Sequence, residues 1–261
     1  MGIYKYFSIA KINLLNALAY MSAALSRAIF IGIIIFVFVH LWRAIYQTKP
    51  LVEGFTIAMM IWYLLFAESI VTSETRVTKT IAQDVQSGVI AYHLNKPFHY
   101  VWYQYFTFLG DALLKFFTTF AVGSAVAYVM VGGFNFNFNY LIFILIVGFF
   151  GLSLNYLMNL SLGLFAFWLE DVEGLAFILH KFVFIIGGML VPLDVFPSWI
   201  QWTKWLPFSY VAYHPAKLFV MFNLKTFINV LAGQLVYIVA LFALCFIIFH
   251  YGAKKVSIHG G

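Results

Sequence analysis

Four ionisable side chains lie inside or at the edge of long apolar stretches and are candidates for chemistry within a membrane: Arg27, Glu68, Asp111 and Lys115. Each is energetically costly if it faces lipid. Asp111 and Lys115 share one helical face at i,i+4 spacing, so they can form an ion pair. Structural pairing and a transport role both stay open. A proton-driven carrier would place acids near the midplane, whereas these acids lie mostly toward the ends of apolar runs.

Motifs for nucleotide binding and for catalytic zinc are absent. The sequence contains no Gly-x-x-x-x-Gly-Lys-Ser/Thr, whose backbone cradles ATP phosphates, and no His-Glu-x-x-His. The seven histidines are scattered singly, which favours packed or interfacial residues over metal ligands. The sequence therefore predicts no enzymatic activity, no metal site and no cofactor in this chain.

The composition is typical of a protein embedded in lipid. Hydrophobic residues make up 64% and charged residues 9% of the 261-residue chain, whereas soluble domains carry about 25% charged residues. The net charge of +6 comes from basic residues at the ends of apolar runs. This placement suits anionic lipid headgroups and argues against nucleic-acid binding. The single cysteine, Cys245, fits a packing role in an apolar run.

Six apolar runs are candidates to cross a membrane, because a spanning helix needs roughly 20 residues. They cover approximately residues 18–41, 55–71, 106–131, 138–168, 175–191 and 227–251. Backbone groups in lipid must pair within their own segment, so the predicted fold is all-α. Residues 1–261 are predicted to form a single transmembrane domain with six helices.

Six spans place both termini on one side of the membrane. The positive-inside rule favours the cytoplasmic side, because inner segments then carry more basic residues than outer ones. The inner set is Lys5, Lys11, Arg76, Lys79, Lys96, Lys254 and Lys255, and the outer set is Arg43, Lys49, Lys204, Lys217 and Lys225.

The N-terminal segment, residues 1–17, is predicted to form a helix that lies in the membrane interface. Apolar residues recur at helical spacing from Ile3 to Leu18, and Lys5, Ser8, Lys11 and Asn13 fall elsewhere on the wheel. The alternative is a plain extension of the first span.

Residues 72–100 form the longest polar stretch, between the second and third spans. Val77, Ile81 and Val85 make one apolar stripe, Gly88 can end that helix and Pro97 ends the following short run. With the termini inside, this segment is cytoplasmic. A short, semi-polar helix between two spans is a feature that a soluble partner can bind, and the alternative is a solvated loop.

Residues 192–224 are too apolar for an exposed loop and too interrupted for a span. Pro192, Pro197, Pro207 and Pro215 divide the segment, and Trp199, Trp202 and Trp205 are typical of a membrane–water boundary. The pattern predicts a re-entrant helical hairpin on the outer side, whose irregular backbone must be covered by protein or line a cavity.

The chain resembles the ABC type-2 exporter permeases, in particular their small six-span bacterial branch. Residues 81–98, IAQDVQSGVIAYHLNKPF, look like the family's acidic-x-x-x-Gly segment followed by a Leu-x-basic-Pro run. FAFWLEDVEG at 165–174, GGMLVPLDVFP at 187–197, WLPF at 205–208 and PAKLF at 215–219 look like its fifth span and outer hairpin. With the N-terminal helix, the resemblance covers nearly the whole chain.

The resemblance implies a half-transporter in the bacterial cytoplasmic membrane. Two permeases, identical or homologous, would pair, and two ATPase subunits that bind ATP and Mg²⁺ would dock beneath them. The residues that would couple to the ATPase are Asp84, Gln86, Ser87, Gly88, Tyr92, Lys96 and Pro97. The outer hairpin, which would cap the outer end of the substrate path through the membrane, contains Pro192, Asp194, Pro197, Pro207 and Pro215.

The function implied is outward transport by alternating access. The many phenylalanines favour an amphiphilic or hydrophobic substrate such as a drug, a peptide or a lipid-like molecule. The acidic turn of Glu170, Asp171 and Glu173 is either solvated or a contact for a basic surface of a partner. The alternative functions are an ion-coupled secondary carrier and a membrane assembly subunit without transport.

Overall fold

The computed structural model describes residues 4–169 and 171–259, and within these only the backbone of residues 23, 24, 27, 28 and 256–259. The described part is helical and contains no β-strand. Its helices are α1 (Tyr4–Ala19), α2 (Met21–Tyr46), α3 (Ile57–Thr72), α4 (Val77–Gln86), α5 (Val89–Leu94), α6 (Tyr100–Val131), α7 (Leu141–Leu164), α8 (Glu173–Ile185), α9 (Pro207–Val211), α10 (Tyr213–Val220) and α11 (Leu224–His259). Short 3-10 turns cover Phe138–Tyr140, Phe165–Phe167 and Gln201–Trp205.

Local side chains define where several helices begin. Thr56 Oγ1 accepts a hydrogen bond from Met59 N at the start of α3, and His99 Nδ1 accepts one from Val101 N at the start of α6. Asn223 Oδ1 caps α11 through Thr226 N at 3.0 Å. Each contact satisfies a backbone N–H that lacks a partner within its helix. Gly132, with φ 74°, ends α6.

Helices α6 and α7 make the most extensive contacts in the bundle. Helix α6 packs against α1, α2 and α3, and α7 packs against α4, α10 and α11. A Cβ at Gly123 of α6 would lie 2.3 Å from Leu65 Cδ1 of α3, so the small residue permits this close approach. Outward faces of α2 and α11 remain apolar, with Phe36 and Val239 53% and 67% exposed. Such faces suit a lipid surrounding.

Helix α1 and the last part of α11 meet the bundle at the same end, where α6 begins. Lys5 Nζ donates a hydrogen bond to Pro97 O, and the His99 ring lies 5.2 Å from the Phe249 ring. The backbone between α1 and α2 bends at Tyr20. Helix α1 then packs on α6, where a Cβ at Gly110 would lie 2.3 Å from Ala10 O. It is therefore not a straight extension of the first span.

Five helical stretches of the described residues are long and apolar enough to cross a membrane, where six were predicted. They are Ile29–Tyr46, Ile57–Gln86, Tyr100–Val131, Phe138–Phe167 and Leu224–Lys255. The predicted fifth span, residues 175–191, is not confirmed. Helix α8 has 13 residues, about 20 Å of helix against a hydrocarbon core of about 30 Å. It stops because the chain turns at Gly187 and at Gly188, whose φ is 69°.

Candidate coupling surface and outer hairpin

The predicted coupling segment folds as two short helices joined by a glycine in the left-handed region. Helix α4 ends at Gln86, Gly88 has φ 75°, and α5 begins at Val89. A Cβ at Gly88 would have no atom within 4 Å. The requirement for glycine at this position is therefore conformational rather than steric.

Helix α4 is fixed to the middle of the bundle through α7. Thr78 Oγ1 donates a hydrogen bond to Asn159 O at 3.0 Å. A Cβ at Gly163 would lie 3.0 Å from Thr78 Cα, so the two backbones are nearly in contact. Ile81 of α4 is completely buried against this junction. A displacement of α4 must therefore displace α7 or break this packing.

Two of the seven predicted coupling residues bond to neighbouring elements: Asp84, which is partly buried, and Pro97, which is exposed. The carboxylate of Asp84 accepts a hydrogen bond from Tyr100 Oη at 2.8 Å, and Tyr100 in turn accepts one from Gln104 Nε2. The carbonyl of Pro97 accepts the bond from Lys5. These contacts tie the coupling segment to α6 and to α1.

The other predicted coupling residues lie on the surface. Gln86, Ser87 and Gly88 are exposed at the junction of α4 and α5. The ring of Tyr92 is 60% exposed, and Lys96 Nζ lies 4.2 Å from its centroid. The surface thus offers an amide, an exposed aromatic ring and a cation at the end of the bundle where α1 and α11 also lie.

A polar junction between α4 and α8 was not predicted from the sequence. His180 Nε2 lies 2.8 Å from Glu74 Oε2 and 3.1 Å from Asn159 Oδ1. His180 lies outside the five candidate spans, and its pKa is raised, chiefly by the hydrogen bond to Glu74 and against the effect of burial. Lys79 Nζ forms an ion pair with Glu173 at 3.3 Å. No spacing in the sequence links these residues, which come from separate elements.

The four charged residues of the apolar runs have different surroundings. Lys115 forms an ion pair with Asp111 one turn away on α6. Glu68 is 5% exposed, and its Oε2 has no hydrogen-bond partner among the described residues. The side chain of Arg27 lies outside the described part of the structure, as does Glu170 of the acidic turn. Asp171 of that turn accepts a hydrogen bond from Glu173 N.

The segment predicted as the hairpin, residues 192–224, is organised around Asp194. Its carboxylate accepts hydrogen bonds from Lys204 Nζ at 2.8 Å, Lys217 Nζ at 2.8 Å and Tyr213 Oη at 3.0 Å. These partners come from the 3-10 turn Gln201–Trp205 and from α10. The cluster carries one acid and two bases, and it joins the turn around Asp194 to the 3-10 turn and to α10.

The prolines of the hairpin mark its turns. Pro192 and Pro215 are buried, Pro207 occupies the first turn of α9, and Pro197 is exposed. Proline fixes φ and lacks an N–H, so it suits the beginning of a short helix. Pro215 falls in the first turn of α10, where a missing N–H leaves no hydrogen bond unmade.

Helix α9 packs against the middle of α7. A Cβ at Gly151, near the middle of α7, would lie 2.9 Å from Val211 O of α9. Gln234 of α11 is completely buried, and its Nε2 donates to Val147 O and to Tyr210 O at 3.0 Å each. Tyr63 Oη of α3 donates to Gly188 O. Protein groups thus satisfy the irregular backbone here.

The described residues contain no group of three or more His, Cys, Asp or Glu side chains that could hold a metal ion.

Comparison with known proteins identifies the family. Residues 31–260 match the family described as ABC-2 family transporter protein. No curated protein matches the chain. The match covers most of the chain and includes the α4–α5 segment, the hairpin and all five candidate spans except two residues of the first. This chain is an integral membrane protein that belongs to the ABC-2 transporter family.

Proposed function

We propose that this chain is the membrane-spanning permease subunit of an ABC exporter driven by a separate ATPase subunit. The observation that carries the proposal is the exposed α4–α5 junction, which is coupled through rigid contacts to α6 and α7. An ATPase bound to Gln86, Tyr92 and Lys96 would hold α4. That helix is joined to α7 by the hydrogen bond from Thr78 to Asn159 O. ATP and Mg²⁺ would be bound in the partner subunit.

The mechanism we propose is alternating access. Closure of the ATPase dimer on ATP would displace α4, and the Thr78–Gly163 contact would pass that displacement to α7. The Glu74–His180 and Lys79–Glu173 contacts would pass it to α8. ATP can shift the equilibrium only by its different affinity for the two conformations.

The membrane topology that we propose has six crossings. Helix α8 is too short to cross the membrane alone. The part of α8 that follows His180 would continue into the hairpin of residues 192–224, and together they would complete this crossing. Both chain ends would then lie in the cytoplasm, consistent with the contacts of α1 and α11 at one end of the bundle. The hairpin would be re-entrant and would cap the outer end of the path.

Helix α1 would lie in the interface of the bacterial cytoplasmic membrane. Its outward residues include Phe7, Ile12 and Leu15, each more than half exposed, and lipid would cover them. The outward apolar faces of α2 and α11 would contact lipid or a second permease, identical or homologous. The aromatic interior favours an amphiphilic or hydrophobic substrate, moved outward.

The proposal is tested by Gly88→Ala with Gly174→Ala as the matched control. Neither added Cβ meets an atom within 4 Å, but only Gly88 has a positive φ, which costs an alanine about 1–2 kcal/mol. We expect Gly88→Ala to lower ATP-driven transport and copurification of the ATPase, and Gly174→Ala to change neither. Unchanged export in Gly88→Ala, or a purification that never recovers an ATPase, would contradict the proposal.

Buried Glu68 is the observation that favours an ion-coupled carrier as the second candidate. An acid enclosed within a span is the type of group that such a carrier uses. Transport by the purified chain alone, driven by an ion gradient and abolished in Glu68→Gln, would establish the carrier. Stimulation of a reconstituted ATPase by substrate would exclude an assembly subunit without transport.

A further inference from the structure

Helix α1 and the turn that follows it contribute polar side chains to a cavity at the edge of the bundle. Asn13, Asn16, Ala17 and Tyr20 share one face at i, i+3, i+4 and i+7 spacing, and all four line a cavity of about 330 Å³. Elsewhere the packed side of α1 is apolar, because Ala10 and Leu14 lie against Gly110 of α6. The two asparagines therefore place polar groups at the edge of an apolar contact.

The opposite walls of the cavity come from α6, α7 and the start of α4. Helix α6 contributes Gln104 and Asp111, and the Phe108 ring stacks on Tyr156 of α7 at 4.0 Å between centroids. The volume is near the lower end of the range for small-ligand sites, about 300–1,000 Å³. The cavity therefore suits a single sugar ring or a lipid headgroup rather than a large molecule.

The charge of the described lining favours an uncharged ligand over an anionic one. Asp111 is the one charged side chain among the described lining residues, and it is already paired with Lys115. No lysine or arginine lines the described walls to neutralise a phosphate or a carboxylate. An uncharged ligand therefore suits the lining that the structure describes.

The hydrogen-bonding groups that remain match hydroxyls. Asn13 and Gln104 each donate through the side-chain nitrogen, to Ile9 O and to Tyr100 Oη. Their amide oxygens stay as acceptors at the cavity. Thr107 Oγ1 and Tyr156 Oη are enclosed in the cavity wall and have no partner in the described part of the chain. Ligand hydroxyls can both donate to the amides and accept from such groups, and a sugar ring presents a C–H face to an aromatic side chain.

We propose that this cavity binds an uncharged polyhydroxyl group, either a glycosyl headgroup of a lipid or a small free sugar. The exposed apolar residues of α1, such as Ile12 and Leu15, would place acyl chains beside the opening if α1 lies in the interface. The proposal depends on this membrane placement and not on coupling to an ATPase, so the two can fail separately.

The test is protection of a cysteine placed in the cavity. Ala17→Cys in a Cys245→Ala background is labelled with a polar maleimide, in nanodiscs of neutral phosphatidylcholine. Ser8→Cys, on the exposed side of the same helix, is the matched control. The probes are monoglucosyl diacylglycerol in the disc, free methyl glucoside in the buffer and phosphatidylglycerol in the disc.

We expect the glucolipid or the free glucoside to slow labelling of Ala17→Cys by about threefold at twice its Kd, because only empty cavities react. Labelling of Ser8→Cys should not change. Slowing by the glucolipid alone identifies a headgroup site, and slowing by the free glucoside identifies a soluble sugar. No protection by either, or equal protection by phosphatidylglycerol, overturns the proposal.

A second variant separates recognition from simple blocking of the cavity. Asn13→Leu in the Ala17→Cys background keeps the side-chain size and removes the acceptor oxygen. We expect it to abolish protection while the labelling rate without ligand stays the same. Asn16→Leu replaces it if Asn13→Leu does not yield folded protein by size exclusion. Protection that persists in the folded variant overturns the proposed hydroxyl recognition.

Discussion

Removing Asp194 should destabilise the hairpin far more than removing either of its lysines. Asp194 is the shared partner of Lys204 and Lys217, and the three side chains are 16%, 24% and 31% exposed. Asp194→Asn leaves two ammonium groups close together without an anion. Lys204→Met or Lys217→Met leaves the carboxylate with one lysine and with Tyr213. The asymmetry follows from the geometry of one acid between two bases.

The size of the effect lies between two limits. Breaking a fully buried ion pair costs about 3–5 kcal/mol, and an exposed pair contributes about 0–1 kcal/mol. For partly exposed groups that lose two pairs at once, we expect Asp194→Asn to cost about 2–3 kcal/mol. Each single lysine variant should cost about 1 kcal/mol or less. At about 2–4 °C per kcal/mol, Asp194→Asn should lower the Tm by about 4–12 °C.

The chain carries its own reporter for this measurement. Cys245 of α11 is completely buried, so a fluorogenic maleimide reacts with it only when the bundle opens. Thermal scans of the wild type, Asp194→Asn, Lys204→Met and Lys217→Met in one detergent give the four Tm values. An equal Tm for the wild type and Asp194→Asn, or a larger loss for a lysine variant, would refute the reasoning.

The remaining predictions concern the coupling end and the buried acid. Gly163→Leu should push α4 away from α7, because even a Cβ there would lie 3.0 Å from Thr78 Cα. We expect thermal scans to show a loss of stability of about 1–3 kcal/mol, and ATPase activity to stop responding to substrate. A normal response to substrate would contradict the transmission of movement through α7. The His180 pKa lies above its ordinary 6.5. The Glu74–His180 contact therefore contributes its full stabilisation of the folded state below pH 6.5, and this contribution is lost as pH rises through the raised pKa. Tm measured by tryptophan fluorescence should therefore fall over that window in the wild type, and an equal fall in His180→Gln would assign the effect to other groups. Glu68→Gln should leave ATP-driven export unchanged, measured as uptake into inverted vesicles, and abolished export would favour the ion-coupled carrier.

The sequence by itself was enough to predict a helical membrane protein of this family. Apolar runs without central charges leave few alternatives, because backbone groups in lipid must pair within a helix. Five of the six predicted runs correspond to α2, α3, α6, α7 and α11. The quoted motifs carried the family resemblance that the match over residues 31–260 confirms. Helix breaks at Gly88 and around the hairpin prolines also follow from residue type.

The tertiary structure decided which polar residues meet. Lys204 and Lys217, which lie 10 and 23 residues after Asp194 in the chain, both bind its carboxylate because the hairpin is folded. The Glu74–His180 contact and the cavity beneath α1 join residues from separate helices. Hydropathy is averaged along the chain and does not register contacts between helices, so it predicted residues 175–191 as one span. In the structure, the turn at Gly187 and Gly188 ends α8 after 13 residues. Periodicity reports which face of a helix is apolar, and only packing determines what that face contacts.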